Sequence, residues 1–216
     1  MPQALSCRDT QESCGLRLTC LPIAQTLTGV LPVRLDCRGL SLRPVCQSDY
    51  ELLHRWDADP SSLQLWTMRK DILSEEEFAQ AFAARLRSYY HLFFMIRSNG
   101  RPAGFIYSYD ANVRDGYAFV AAFLEPGSRS KGLAARAGLL FAHHLFSFDP
   151  LHKLYFDVFE YNRPSLDALL GAGMRVEGAF GRHRFFNGQH WTVYRLAMYR
   201  EDFYGRFASV LRRLVS

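Results

Sequence analysis

The chain has 216 residues, of which 49% are apolar, 14% aromatic and 22% charged, a composition that excludes general disorder and describes one large domain or one domain with an appendage. No apolar run reaches the ~18 residues needed to span a bilayer, because even the densest stretch, Gly132 to Phe148, carries Arg136, His143 and His144, so integral membrane insertion is not expected. The net charge of +5 is unevenly spread: residues 49–77 are rich in carboxylates, whereas residues 171–216 are rich in Arg.

Residues 1–30 lack sustained periodicity and read as an N-terminal extension, expected to be flexible. Their start has no basic segment followed by an apolar one, so no secretory signal is read and a cytoplasmic protein is expected. Five cysteines, Cys7, Cys14, Cys20, Cys37 and Cys46, fit no CxxC or zinc spacing and read as reduced thiols, so no metal is expected. A domain over residues 31–200 then opens on a hairpin, Val33/Leu35 and Leu40/Leu42 alternating about Asp36 to Gly39. Asp49 to Trp56 reads as a short helix broken at Asp59-Pro60. The next helix starts at the Ser74…Glu77 capping box and carries Phe78, Phe82 and Leu86 one turn apart.

Three strands follow as an antiparallel meander, His91 to Arg97, Pro102 to Tyr109 and Gly116 to Glu125. A central helix, Gly132 to Phe148, has Leu133, Ala137, Leu140/Phe141, Leu145 and Phe148 on its apolar face. Lys153 to Tyr161 reads as a strand and Pro164 to Leu170 as a helix. Met174 to Phe186 and Trp191 to Tyr199 form a final pair turning at Asn187-Gly188. The fold class is therefore α/β, with a mixed, mostly antiparallel sheet containing one parallel crossover between 116 and 161. Phe93, Phe94, Phe105, Phe119, Phe123, Phe156 and Phe159 read as core. Residues 201–216 form a C-terminal amphipathic helix with Phe203, Phe207, Val210/Leu211 and Leu214 on one face. It is expected to dock on its own domain or on a partner in a homodimer, with a membrane surface as the alternative.

The sharpest local signal is the segment 124–140, between a strand and a helix. There Arg129-Ser130-Lys131-Gly132-Leu133-Ala134 combines small residues with basic ones at a helix N-terminus. Free N–H groups and the positive end of the helix dipole receive a pyrophosphate at such a place, and Arg129, Lys131 and Arg136 can add charge. No basic helix face or interleaving of basic and stacking residues points to nucleic acid, so anionic cofactor phosphates are the better partner.

The pattern Arg129…Gly132…Ala134 between strand and helix resembles the acetyl-coenzyme-A motif of the Gcn5-related N-acetyltransferases (GNAT). Leu151-His-Lys-Leu154, Asn162-Arg-Pro-Ser165 and Gly173-Met-Arg-Val-Glu177-Gly178 look like that family's later marks. The resemblance covers roughly residues 38 to 200, and Glu177-Gly178, Asn187-Gly188 and the Trp56…Asp59-Pro60 segment are similar to the branch that acetylates ribosomal-protein N-termini and to its antibiotic-modifying and sugar-amine relatives. The resemblance implies a sheet with a V-shaped splay between the fourth and fifth core strands, which holds acetyl-CoA as cosubstrate for direct attack by an amine. It places Leu124 at the acetyl carbonyl, Arg129, Ser130, Lys131, Gly132, Leu133 and Ala134 at the pyrophosphate, and Asn162 either at the pantetheine arm or as a helix N-cap. The acceptor is a protein N-terminus or a small amine such as an amino-sugar or antibiotic intermediate. The acidic segment 49–77, expected to border it, suggests a cationic acceptor.

Two departures from the family concern proton transfer. The position of a thiolate-protonating Tyr falls on Leu169, and that of a base on Arg184; neither residue can serve. Ser165 inherits the acid role, with helix capping as the alternative. His183, flanked by Arg182 and Arg184, and Glu125, at the end of its strand, remain as bases, with a surface His and a solvent-facing Glu as the alternatives. The different-class reading is a non-catalytic acyl-CoA-binding sensor or interaction module on the same fold, and a third is a transferase of longer acyl chains.

Overall fold

A computed structural model describes residues 35–37, 39–59, 71–87, 92–129 and 132–215. The N-terminal extension with Cys7, Cys14 and Cys20, the break at Pro60, and Ser130 and Lys131 of the basic loop lie outside the described residues. The hairpin about Gly39 shows how local pattern becomes structure. Strands β1 (Leu35–Cys37) and β2 (Leu40–Pro44) pair antiparallel, Cys37 opposite Leu40, with Leu35, Cys37, Leu40 and Leu42 turned inward. Helix α1 (Tyr50–Ala58) follows and ends at Asp59. Helix α2 (Glu75–Leu86) carries the expected cap: Ser74 Oγ accepts from the Glu77 N–H while the Glu77 carboxylate accepts from the Ser74 N–H.

Strands β3 (Leu92–Ser98), β4 (Arg101–Asn112) and β5 (Tyr117–Leu124) form the meander, and β5 leads through a short turn to α3 (Leu133–Phe148). Then come β6 (Lys153–Phe159), α4 (Arg163–Gly171), β7 (Arg175–Phe186), β8 (Gln189–Tyr199) and α5 (Arg200–Val215). The eight strands lie in the order β1-β2-β3-β4-β5-β6-β8-β7, and only β5 and β6 are parallel. Asn187 and Gly188 join β7 to β8 with positive φ at both positions, as a two-residue hairpin turn requires.

Two apolar layers cover the sheet. On one face α3, α4 and α5 pack Leu133, Ala137, Leu140, Phe141, Leu145, Leu166, Phe203 and Leu211 against Leu42, Phe94, Ile106, Leu154 and Leu196. On the other, α1 and α2 bring Leu53, Trp56, Phe78 and Phe82 onto Phe93, Met95, Phe105 and Phe123. Helix α5 thus docks on its own domain, with Phe203 fully buried.

Four positions expected to face the core differ. Phe119, Phe156 and Phe159 are half-buried: among the described residues α1 and α2 cover only the β3–β5 part of their face, so Phe119 lies under the Arg195 guanidinium at 4.6 Å and Phe159 under that of Arg184 at 5.2 Å, while Phe156, on the opposite face, packs at the margin of the larger core. Phe148 is 48% exposed: it is the last residue of α3, and its ring rests on His144 while Phe146 takes the buried place. Cys37 and Cys46 are free thiols, the first buried and the second exposed.

Candidate active site at the gap between two parallel strands

Strands β5 and β6 pair only at Tyr117–Phe119 with Lys153–Tyr155, yet β5 runs on to Leu124 and β6 to Phe159. Beyond Phe119 and Tyr155 the two strands make no further pairing, which leaves an unpaired slot between them. The hairpin contributes two strands, so this slot lies between the fourth and fifth strands counted from β2. Each parallel strand is followed by a helix, so the N-termini of α3 and α4 both stand at the carboxyl end where the slot opens, the place where open sheets bind ligands.

At the β5 side, Gly132 is the N-cap of α3 in a left-handed conformation (φ 65°, ψ 8°), with no side-chain cap. A Cβ there would meet nothing within 4 Å, so the approach to the helix end is open. The first bond of the helix is Arg136 N–H to the Gly132 carbonyl, which leaves the N–H groups of Leu133, Ala134 and Ala135 without intrahelical acceptors. Ala134 is exposed, while the Leu133 side chain is buried, so Leu133 can offer a ligand only its backbone. Opposite Leu124 stands Gly104, where a Cβ would lie 2.0 Å from the Phe123 carbonyl; no other residue allows β4 to approach the end of β5 so closely.

The basic side chains are already engaged. Arg129 folds back, its Nε donating to the Leu124 carbonyl at 2.9 Å and its guanidinium lying 5.8 Å from the centre of the Phe123 ring. Arg136, expected near the phosphates, donates instead to the Cys37 carbonyl at 3.0 Å and ties α3 to β1. The half-buried Glu125 accepts from Ser128 Oγ at 3.0 Å within its own turn.

On the β6 side, Asn162 is the N-cap of α4, but its side chain makes no capping bond; the turn is held by the N–H groups of Ser165 and Leu166 on the Asn162 carbonyl. Ser165 is half-buried in the first turn. Leu169 packs against the larger core. Arg184 lies 5.2 Å from the centre of the Phe159 ring and hydrogen-bonds Tyr161, whose hydroxyl is pushed up by burial against that opposing contact. His183 is exposed on β7, at the sheet edge with β8 between it and β6, and its ring meets Phe180 at 5.6 Å. The slot therefore brings Leu124, Gly132, Ala134, Asn162 and Ser165 to one end, while His183 stands two strands away.

The acidic segment is committed to structure in part, with Glu51, Asp71, Glu75 and Glu76 exposed. Asp49 and Asp57 are buried. Burial works against the Asp49 charge, but the Arg43 guanidinium, bonded to both its oxygens at 2.7 and 2.6 Å, holds the carboxyl below its ordinary range. Glu77 is closed onto Ser74.

Residues that sequence reading missed lie on the same face as α1 and α2. Asp157 is the next residue on that face of β6 after Tyr155, so it borders the start of the slot. Arg195, opposite it on β8, donates from Nε to one oxygen at 2.8 Å and from Nη2 to the other at 2.7 Å. The carboxylate raises the guanidinium above its ordinary value, with burial opposing. Alternation along β6 puts Asp157 in line with Tyr155 and Phe159, a clue in the sequence; the register of β8 that supplies Arg195 is nonlocal and left none. Among the described residues, no group of three or more His, Cys, Asp or Glu is placed to hold a metal. None of the helices among them is long and apolar enough to cross a membrane.

A mixed sheet opened between its one parallel pair, with a helix N-terminus at the opening, is the architecture of an acetyltransferase. A model of the acetyltransferase (GNAT) domain matches residues 39–175, and the chain belongs to that family of N-acetyltransferases, which use acetyl-CoA. Solved structures agree in fold. A T. thermophilus protein assigned as an acetyltransferase has a TM-score of 0.71 at 19% identity, covering 87% of this chain and 100% of its own. Spermidine N-acetyltransferase from Vibrio cholerae, solved with CoA and spermine, has a TM-score of 0.69 at 18% identity and covers 76% of this chain and 98% of its own. The Salmonella typhimurium acetyltransferase that modifies the N-terminal serine of ribosomal protein L7/L12 has a TM-score of 0.68 at 15% identity, covering 77% and 99%. No curated protein sequence matches the chain.

Proposed function

We propose that the chain transfers an acetyl group from acetyl-CoA to an amine by direct attack within the β5–β6 slot. The observation that carries this reading is the slot itself, which opens beside a helix whose N-cap is a left-handed glycine in open space. The residues present fit the cosubstrate. Gly132 leaves room for a pyrophosphate, the N–H groups of Leu133 and Ala134 point their dipoles toward it, and Arg129, with Ser130 and Lys131 next to it in sequence, supplies charge and hydroxyl. The uncommitted Asn162 side chain serves the pantetheine arm, and the Leu124 backbone faces the acetyl carbonyl.

Bound acetyl-CoA supplies a thioester carbon open to attack. The amine lone pair forms the C–N bond as the C–S bond breaks, so one proton must leave the nitrogen and one must reach the thiolate. Amines of pKa about 8 to 10.4 arrive mostly protonated at neutral pH, which gives the first proton transfer weight. Ser165, in the first turn of α4 at the slot, is the donor to sulfur. His183 and Glu125 are the ionisable candidates for the nitrogen proton, and a water relay is the alternative to both.

The acceptor is a peptide N-terminus or a small-molecule amine; the fold relatives include one enzyme named for spermidine and one for an N-terminal serine. Calorimetry with CoA and with acetyl-CoA tests the reading, and absence of binding by folded protein overturns it. A second reading, a CoA-binding module without turnover, draws support from Leu169 packed into the core at the expected acid position. Release of free thiol with a panel of amines favours the enzyme; tight CoA binding with no release from any amine favours the module.

A further inference from the structure

Among the described residues, α1 and α2 cover their face of the sheet only over β3 to β5, and alongside them a row of rings runs across β4, β5, β6 and β7. Tyr109 meets Phe119 at 5.3 Å, Phe119 meets Tyr155 at 5.2 Å, and the Arg195 guanidinium lies 4.6, 5.6 and 5.2 Å from the centres of Phe119, Tyr155 and Phe180. Arg195 and Asp157 keep side-chain exposures of 33% and 25%, and Phe180 is 40% exposed, so solvent reaches the pair. Of the five N–H groups of Arg195, two are bound to Asp157; Nη1 has no partner among the described residues. A planar donor edge fixed by an ion pair and framed by rings is suited to a carbonyl or carboxylate oxygen. The carboxylate beside it retains lone pairs for an ammonium group, at the first position on this face past the paired part of β5 and β6.

We infer that Arg195 is a specificity-determining residue, its free Nη1 edge binding the carbonyl oxygen of an α-amino-acyl acceptor whose amine lies at Asp157 and whose apolar side chain packs on Phe119, Tyr155 and Phe180. An α-amino-acyl group places its amine and carbonyl oxygen two carbons apart, which matches a carboxylate and a guanidinium held side by side. A polyamine offers Arg195 only a second positive charge, and an amine without a carbonyl leaves the donor edge unsatisfied. The inference rests on the acetyl-transfer reading above and selects among its acceptors. A free amino acid and a peptide N-terminus share this chemistry.

The test uses the full chain with acetyl-CoA and compares kcat/KM for phenylalaninamide, a peptide with N-terminal Phe, free phenylalanine, phenethylamine and spermidine. Phenylalaninamide is expected to exceed phenethylamine by about 10-fold or more, since a site with a placed hydrogen-bond donor rejects the analogue lacking its partner. The peptide against the free amino acid separates the two sources. Arg195→Gln should drive the amide-to-phenethylamine ratio toward one, and Arg195→Lys, a point charge without the fork, should give an intermediate ratio. The same ratio is read as binding by titrating both amines into CoA-saturated protein, with thermal melting to show each variant folded. A wild-type preference for phenethylamine or spermidine, or a ratio unchanged in Arg195→Gln, overturns the inference. Failure of CoA to bind overturns the acetyl-transfer reading instead.

Discussion

Gly132 concentrates the reasoning at the scale of one residue. Its φ of 65° lies in the region where a Cβ is strained, yet the space beside it is open, so an added side chain projects into that space rather than into the protein. Gly132→Glu should abolish CoA binding, by bulk and negative charge at the pyrophosphate position, while costing only about 1–2 kcal/mol of backbone strain. Calorimetry alongside thermal melting checks it, and retained affinity would show that the loop is only a turn. Ser165 and His183 need a kinetic test. If Ser165 protonates the thiolate, Ser165→Ala should lower kcat about 10²-fold or more. Should it only support the first turn of α4, the loss is about 1 kcal/mol of stability and little rate. His183→Ala should lower kcat/KM on the same scale, most at low pH, if His183 is the base. Activity retained in both variants assigns the proton steps to water, and catalysis then rests on positioning and on the Leu124 backbone.

At the scale of elements, α3 shows how one helix serves packing and chemistry with opposite ends and faces. Its start holds the Gly132 cap, and its far half carries two adjacent histidines that point different ways. His143 pairs with the Tyr204 hydroxyl at 3.1 Å, while His144 lies against Phe94 and Phe148. Burial, aided by the neighbouring His143, depresses His144 from 6.5 to about 4. A folded value below the unfolded one means stability present above pH 6.5 and lost as pH falls toward 4, because only the unfolded chain then takes up the proton. Denaturant unfolding across that window should therefore show a slope that His144→Leu flattens. The boundaries of α2, α3 and the β7–β8 turn were legible because Ser74/Glu77, Gly132 and Asn187-Gly188 act locally. The ends of the two basic side chains were not: Arg129 and Arg136 found carbonyls of Leu124 and Cys37, and the second lies 99 residues away in sequence. Likewise the row of rings at Phe119 and Phe159 reads as core by alternation, and only the extent of α1 and α2 decides which part of the face is covered.

Across the whole molecule, the sheet is two halves joined along one short parallel seam, open at one end and strapped at the other. At the strapped end the His152 and Lys153 N–H groups both donate to the Gly116 carbonyl, at 2.7 and 3.2 Å. There Glu177, on the edge strand β7, reaches across β8 to β6: it accepts from Lys153 Nζ at 3.0 Å, from the Tyr155 hydroxyl at 2.7 Å and from the Tyr199 hydroxyl. A slot can open at one end of two parallel strands only if the other end resists spreading; the two bonds to the Gly116 carbonyl join β5 to β6 there, and this carboxylate holds β6, β8 and β7 together as the half that they meet. Partial burial opposes its charge, but the bonds from Tyr199, Tyr155 and Lys153 outweigh it and lower the carboxyl from 4.5 to about 2. The sign follows from a folded value below the unfolded one: the contribution is complete above pH 4.5 and disappears as pH falls toward 2. Wild type should thus exceed Glu177→Gln in unfolding free energy at about pH 6, and the difference should shrink steadily between about pH 4.5 and 3 in denaturant titrations. A difference independent of pH over that range would mean that the strap is held by packing of Tyr155 and Tyr199 rather than by the charge of Glu177.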